Sequence, residues 1–377
     1  MRVSCLQENL AKGLSIVSRA VATRSTLPVL SNILLATDQS RLKLSATNLE
    51  ISINCWVGAQ VAQEGATTVP ARLLSDLVSS LPPGRIDLEL ITRTQTLNLK
   101  SGRFEANIKG IDAQEFPIII VPEENERIHV EAELLRQVID QVAFAAATDE
   151  SRPVLTGVLM EVISDKLTLV AADSYRLSVR SIPLESGPQQ SLSVIVPARA
   201  LQELRRIGAE SDSPVEILIS PNRNQVFFHM QDVDLVSQLI EGTFPDYKQI
   251  IPKSYNTRTT VNTQDFLKAV RMAFIFARDS ANITRLQISP GGGVRPDHLI
   301  IMASSSEHGD NVSELDATIE GAQLEIAFNA RYLMDVLGVI DTAQVALETR
   351  DLSSPGVIRP VGGGDFTHII MPLHIAH

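Results

Sequence analysis

Hydrophobic positions along the chain follow two periods in turn. Leu10, Leu14, Val17 and Val21 recur at helical spacing just after a strand-like triplet, Val3–Cys5. Leu134, Val138, Val142 and Ala145 do the same further on. Between such stretches Leu42 and Leu44, Ile51 and Ile53, and Leu167 and Leu169 alternate with polar residues, as half-buried strands do. A second kind of helix follows a short strand and opens on Ala-Arg. It occurs as TTVPARLLSDLVSSL from Thr67, SVIVPARALQELRRI from Ser193 and EIAFNARYLMDVLGVI from Glu325. The pattern predicts helices at 7–24, 71–81, 131–147, 198–208, 263–278 and 330–340.

These features repeat three times. The Ala-Arg arginines are Arg72, Arg199 and Arg331, spaced by 127 and 132 residues. EFPIIIVP ending at Pro122, TFPDYKQIIP ending at Pro252 and THIIMPLH with Pro372 close the three units. VSCLQENLAKGLSIVSRAV, HVEAELLRQVIDQVAFAA and TVNTQDFLKAVRMAFIFA open them. Three markers agreeing on one period identify an internal repeat, with domains expected at 1–124, 125–252 and 253–377. Each unit holds two helices and many hairpin-connected strands, the α+β class with antiparallel sheets. Two strand–helix–strand halves in each unit point to an older duplication. Short helices cannot cover several sheets on both sides, so the sheets are expected outside with the helices gathered on one face. Units placed side by side make an arc, which closes only by adding another chain.

Composition narrows the function. At roughly 100–200 residues per domain, 377 residues imply two to four domains. A 44% hydrophobic and 20% charged chain is neither disordered nor fibrous. No run approaches the ~20 apolar residues of a membrane span, and the N-terminus lacks the apolar core of a secretory signal. Two cysteines exclude a disulfide scaffold and a four-cysteine zinc site, so a reducing cytoplasm is expected. One Trp and 4% aromatics argue against a base-stacking platform. None of the seven histidines shows metal-ligand spacing, and neither a phosphate loop nor a G-x-S-x-G elbow is present. The glycine runs 291–293 and 362–364 read as hairpin turns. Asp173, Ser174 and Tyr175 have no histidine partner in the repeats. No catalytic residue, metal or cofactor is therefore expected.

Charge is unevenly spread. The predicted helices carry Lys12, Arg19, Arg24, Arg72, Arg136, Arg199, Arg205, Arg206, Lys268, Arg271, Arg278 and Arg331 against eight acidic residues. That is +4, leaving −15 elsewhere in a chain of net charge −11. An ordinary DNA-binding domain is basic throughout. Positive charge is thus concentrated on the predicted helices and negative charge on the strands and loops.

The segments STLPVLSNILL, TNLEISI, TTVPARLLSDLVSSLP, AADSYRLSV, SVIVPARALQEL, EGTFPDYKQIIP and HIIMPLH, in this order and within a threefold repeat, resemble the bacterial DNA polymerase sliding clamps along the whole chain. The resemblance implies a head-to-tail homodimeric ring of six similar domains with duplex DNA threading a helical inner wall. It implies a non-catalytic processivity factor of the replicative polymerase III holoenzyme, opened and closed by an ATP-driven clamp loader. The rival reading is a sugar- or peptide-binding repeat protein that does not encircle DNA.

The resemblance also places sites. Arg24, past the first helix, and Arg152, in the Ser151–Pro153 loop, are expected to face DNA, although the tyrosines usual in that loop are absent. With the helix cations Lys12, Arg19, Arg72, Arg199, Arg205, Lys268 and Arg271 they form the expected DNA set. A groove for clamp-binding peptides of polymerase subunits, the loader and repair polymerases or ligase is implied at Leu155, Ala172, Ser174, Tyr175, Arg176, Leu177, Pro245, Gln249, Ile250, Ser354 (with Ser353 as its alternate), Ile369, Ile370, Met371, Pro372 and Leu373. Leu177 and Ile370 read equally well as plain core. Tyr175 departs from the family's usual histidine, and His374 with the tail Ile375–His377 is expected to crowd the groove. Dimer contacts are implied at Ala106 and Ile108 and, across the ring, at Phe276 and Ala277; Phe274, Ile275 and Phe276 together read as an apolar anchor or equally well as the helix's core face.

Overall fold

The computed structural model describes residues 1–117, 127–188, 190–208, 213–292 and 295–373. Pro122, Gly293 and the His374–His377 tail lie outside the described residues. Packing divides the chain into two compact units. The first comprises Met1–Leu135 and Glu203–Leu239, the second Arg136–Gln202 and Ile240–His377.

Each unit is built on a 12-stranded sheet whose ladders, among the described residues, are antiparallel. In the first, strand Ile51–Gln63 is the hub. It pairs with Arg2–Leu6 on one side and Val233–Gln238 on the other, in register from Val233↔Cys55 to Ser237↔Ile51. In the second, Arg176–Pro183 pairs with Phe366–Ile370, from Arg176↔Ile370 to Arg180↔Phe366. The two junctions share a logic. Each joins an edge strand of the middle repeat to a strand of a flanking repeat. An unpaired edge leaves a row of unsatisfied N–H and C=O groups, and these pairings consume two such edges. The middle repeat is consequently divided between two sheets.

Six α-helices lie among the described residues: α1 (Gln7–Val17), α2 (Ala71–Ser80), α3 (Ala132–Val142), α4 (Ala198–Ile207), α5 (Thr263–Ala277) and α6 (Ala330–Leu337). Each begins where the sequence predicts, within a residue. The first ends seven residues early. A single 3₁₀ turn, Ser18–Ala20, follows Val17; beyond it the Ser25 hydroxyl accepts the Leu27 N–H at 3.0 Å and Pro28 lacks a donor, so the helix does not resume. α6 likewise stops at Leu337, and α3 passes into a 3₁₀ turn at Ala143–Ala145. With these shorter helices the tally falls to nine basic against seven acidic residues, or +2. Arg19, Arg24 and Arg278 move into the turns that follow.

The core of the second unit's C-terminal part shows why the helices form. α5 buries Phe266, Leu267, Ala269, Val270, Ala273 and Ala277, the i, i+3, i+4, i+7 stripe of a half-buried helix. α6 adds Leu333, Val336 and Leu337, and the sheet supplies Leu286, Ile301, Phe328 and Phe366. Gly356 is required where the sheet meets this core, since a Cβ there would lie 2.4 Å from the Phe328 ring. The start of α5 is set by Asn262, whose carbonyl oxygen accepts the N–H groups of Gln264 at 3.0 Å and Asp265 at 3.1 Å.

Loss of that cap costs about 1 kcal/mol. Asn262→Ala is expected to lower the urea midpoint and Asn262→Asp to keep it. Equal midpoints for Asn262→Ala and the wild type would show that the cap does not hold the helix.

Candidate functional site

In the second unit, hairpin pairing brings Ala172 opposite Leu177, the junction brings Leu177 opposite Ile369, and the next ladder brings Ile369 opposite Val357. Successive cross-strand neighbours on one face pack together. The result is a buried cluster of Leu155, Ala172, Leu177, Val357, Ile369, Phe244 and Tyr247. The Tyr247 hydroxyl donates to Glu161 at 2.8 Å. Burial and that carboxylate push its pKa up, so it stays a neutral donor. Large exposed side chains belong to the same segments: Tyr175 at 56%, Ile250 at 44% and Met371 at 39%. Ser174, Pro245 and Gln249 are also exposed, while Ser354, Pro372 and Leu373 are half-buried. An apolar floor with an adaptable methionine and polar groups at its edge is the composition of a surface that takes several related ligands.

A tight turn presents Ser174 and Tyr175. The Asp173 carboxylate accepts the N–H of Tyr175 at 2.7 Å and of Arg176 at 3.0 Å. Arg176 then locks the turn. Its guanidinium donates to Asp173 at 3.1 Å, Asp335 at 2.6 Å and the Phe144 carbonyl at 2.9 Å. It lies 4.4 Å from the Tyr332 ring centroid and is only 11% exposed. Alternation along the strand puts Arg176 on the face opposite Leu177. Ile370, paired with Arg176, likewise belongs to the α5–α6 core rather than to the Leu177 cluster. The core alternative holds for Ile370, Leu177 is equally buried within its own cluster, and one expectation is corrected: Arg176 positions the turn instead of lining the patch. Behind the turn His368 is fully buried, 2.6 Å from the Ser178 hydroxyl and stacked near Phe144.

Several contributors were not anticipated. Val357 and Tyr247 sit in strand and FPDY segments whose alternation and position could have marked them. Phe144, Tyr332 and Asp335 carry no local signal, because they reach Arg176 from elements far away in sequence. Asp351 shapes the Ser354 loop. It accepts from both hydroxyls and both amides of Ser353 and Ser354, chiefly the Ser354 hydroxyl, which holds its pKa down at about 2.

The expected DNA set is exposed. Among the described residues Arg24, Arg199, Lys268 and Arg271 have no ion-pair partner. Arg72 makes only a loose 3.8 Å pair with Asp76, and Arg19 pairs with Glu203 at 3.3 Å. In the first unit Lys12, Arg19 and Arg206 line one cleft of about 630 Å³, while Arg205 is exposed on α4. Arg152 donates to the Ser174 hydroxyl, beside the apolar patch.

The expected dimer residues need correction. Ile108 is 3% exposed and Ala277 not at all, both packed in their own chain, so neither offers side-chain surface. Ala106 and Phe276 are half-buried. The large exposed apolar residues beside them are Phe104, Met272 and Ile275.

Family models of the DNA polymerase III beta subunit match in three consecutive blocks: the N-terminal domain at 1–120, the central domain at 129–246 and the C-terminal domain at 248–374. The chain belongs to the bacterial sliding-clamp family. It is 34% identical to the beta sliding clamp of Synechococcus elongatus, over the whole of both chains. It is 31% identical to that of Staphylococcus aureus, over 94% of each. Among solved structures, the sliding clamp of Bacillus subtilis covers both chains fully with a TM-score of 0.94 at 29% identity. A Pseudomonas aeruginosa sliding clamp bound to griselimycin matches with a TM-score of 0.92 at 32% identity. Sliding clamps are non-catalytic processivity factors of DNA polymerase III, and this chain is one. Its three clamp domains, antiparallel sheets and paired helices are those of the family.

Burial, and secondarily Arg176, push His368 down from 6.5 to about 3. The unfolded chain takes up this proton first, so stability is complete above pH 6.5 and is lost as pH falls from there toward 3. At pH 5 the loss is about 2 kcal/mol. In urea titrations between pH 7.5 and 5, His368→Asn is expected to show a flatter decline than the wild type. Identical slopes would mean that His368 does not titrate on unfolding.

Proposed function

We propose that the chain works as a ring-shaped, head-to-tail homodimer, with clamp domains bounded at 1–124, 125–252 and 253–377, sheets outside and helices lining a passage for duplex DNA. Its function in DNA replication is tethering. DNA contact is sequence-independent and carried by Arg24, Lys12, Arg19, Arg72, Arg199, Arg205, Lys268 and Arg271. Each neutralised phosphate adds salt-dependent affinity, so a small set of exposed cations favours sliding over sticking. Arg152 is assigned to DNA less directly, since it already serves Ser174. The protein is cytoplasmic and nucleoid-associated in this reading.

Partners dock through clamp-binding peptides on the Leu177 patch, with Leu155, Ala172, Val357 and Ile369 as floor and Ser174, Tyr175, Pro245, Gln249, Ile250, Ser354, Met371, Pro372 and Leu373 as rim. These partners are polymerase subunits, the ATP-driven loader and repair polymerases or ligase. The observation that carries the assignment is the apolar cluster edged by exposed Tyr175, Ile250 and Met371, in a chain of this family. A tethered partner rebinds intramolecularly, at high effective concentration, instead of diffusing away. The dimer surfaces are Phe104 with Ala106 and Met272 with Ile275 and Phe276.

Fluorescence polarisation with a labelled clamp-binding peptide tests the patch. Ile250→Ala with Met371→Ala is expected to weaken binding by about tenfold or more, as loss of two interface anchors does. Arg24→Ala is expected to leave it unchanged, and both variants should keep the solution mass of twice 41.1 kDa. Unchanged peptide affinity in the double variant would refute the groove.

A further inference from the structure

Next to the peptide patch lies a second, unassigned cleft of about 220 Å³, lined by Pro252–Tyr255, Glu348–Arg350, Pro355, Val357 and Arg359. Its walls continue those of the patch. The segment that carries Pro245, Gln249 and Ile250 runs on into Pro252–Tyr255. The loop that carries Ser354 is flanked by Arg350 and Pro355. Val357 faces both, since it is buried in the Leu177 cluster and lines the cleft. Asn256 ties the two walls together, its amide N–H donating to the Thr349 carbonyl at 2.9 Å and its side chain to the Arg350 carbonyl at 2.8 Å.

The charge of this cleft runs against that of the chain. Glu348 is the one acidic lining residue, and its carboxylate is held by Arg359 at 3.2 Å and Arg258 at 3.9 Å. Lys253 and Arg350 are exposed, and among the described residues neither has an ion-pair partner. Asp351, which is not among the lining residues, accepts hydrogen bonds from Ser353 and Ser354 within its own loop. Tyr255, 41% exposed, adds a flat apolar wall. Two unpaired cations beside a ring make a site for carboxylates, set in a chain of net charge −11.

We propose that this cleft binds acidic side chains flanking the clamp-binding peptide, so that Lys253 and Arg350 help select among partners. The proposal rests on the patch being the peptide groove. It adds a specificity element outside the apolar anchors: partners with Asp or Glu beside the motif are retained longer than partners with neutral flanks.

The test uses the full-length protein and labelled peptides with one motif core and three flanks: neutral, two Glu before the core, and two Glu after it. On the wild type at low salt one acidic-flank peptide is expected to bind about fivefold tighter than the neutral one, the scale of two partly exposed ion pairs. Lys253→Ala/Arg350→Ala is expected to abolish that advantage and leave neutral-peptide affinity unchanged. Arg93→Ala/Arg223→Ala, with the same change in net charge, is expected to preserve it. No advantage for either acidic flank on the wild type, or an advantage that survives in Lys253→Ala/Arg350→Ala, overturns the proposal while the groove stands. If no peptide binds at all, the groove assignment fails and this inference falls with it.

Discussion

The pairing of Arg176–Pro183 with Phe366–Ile370 is the joint on which the proposed partner site depends. It closes an edge of the middle repeat against the C-terminal strand, and its register decides which side chains meet. Leu177 falls beside Ile369 on one face; Arg176 falls beside Ile370 on the other. A slip of one residue would exchange the faces. The apolar floor would then carry a guanidinium, and the α5–α6 core would lose an isoleucine. The interactions of Arg176 with Asp173, Asp335 and two rings oppose such a slip. They are partly buried, charge-assisted and mutually bracing, so their loss leaves a shielded charge without its partners rather than merely a contact missing.

The same economy governs the basic residues. A clamp that gripped DNA at many phosphates would pause at each step, and affinity of that kind would fall steeply with salt. The described cations are few and dispersed. Several are muted by carboxylates: Glu203 engages both Arg19 and Arg206. In the proposed reading, retention on DNA comes from closure of the ring, with affinity left to guide alignment. The proposed partner patch works on the opposite principle, with apolar burial for strength and polar edges for orientation.

Much of this was legible because the chain repeats itself. Helix starts, strand alternation and the α+β class follow from periods and the Ala-Arg marker. Helix ends were harder. The stretch to residue 24 keeps an apolar period through Val21, yet the helix ends at Val17, and the Ser- and Thr-rich segment before Pro28 does not resume it. Side-chain facing was harder still. Arg176 stands in an apolar strand and reads as a ligand-facing charge until Asp335 and Tyr332, more than 150 residues away, are seen to hold it. Ile108 and Ala277 show the reverse error: apolar residues beside an expected interface that are spent on their own core. Three-dimensional proximity, absent from any local pattern, separates these cases.

Topological linkage is the most direct test of the central claim. The labelled protein is loaded onto nicked circular DNA with its cognate loader and ATP, washed in high salt and followed as the circle is cut. The account predicts retention on the intact circle and rapid loss once the DNA has ends. Binding that resists salt and survives linearisation would be ordinary affinity, and would contradict it.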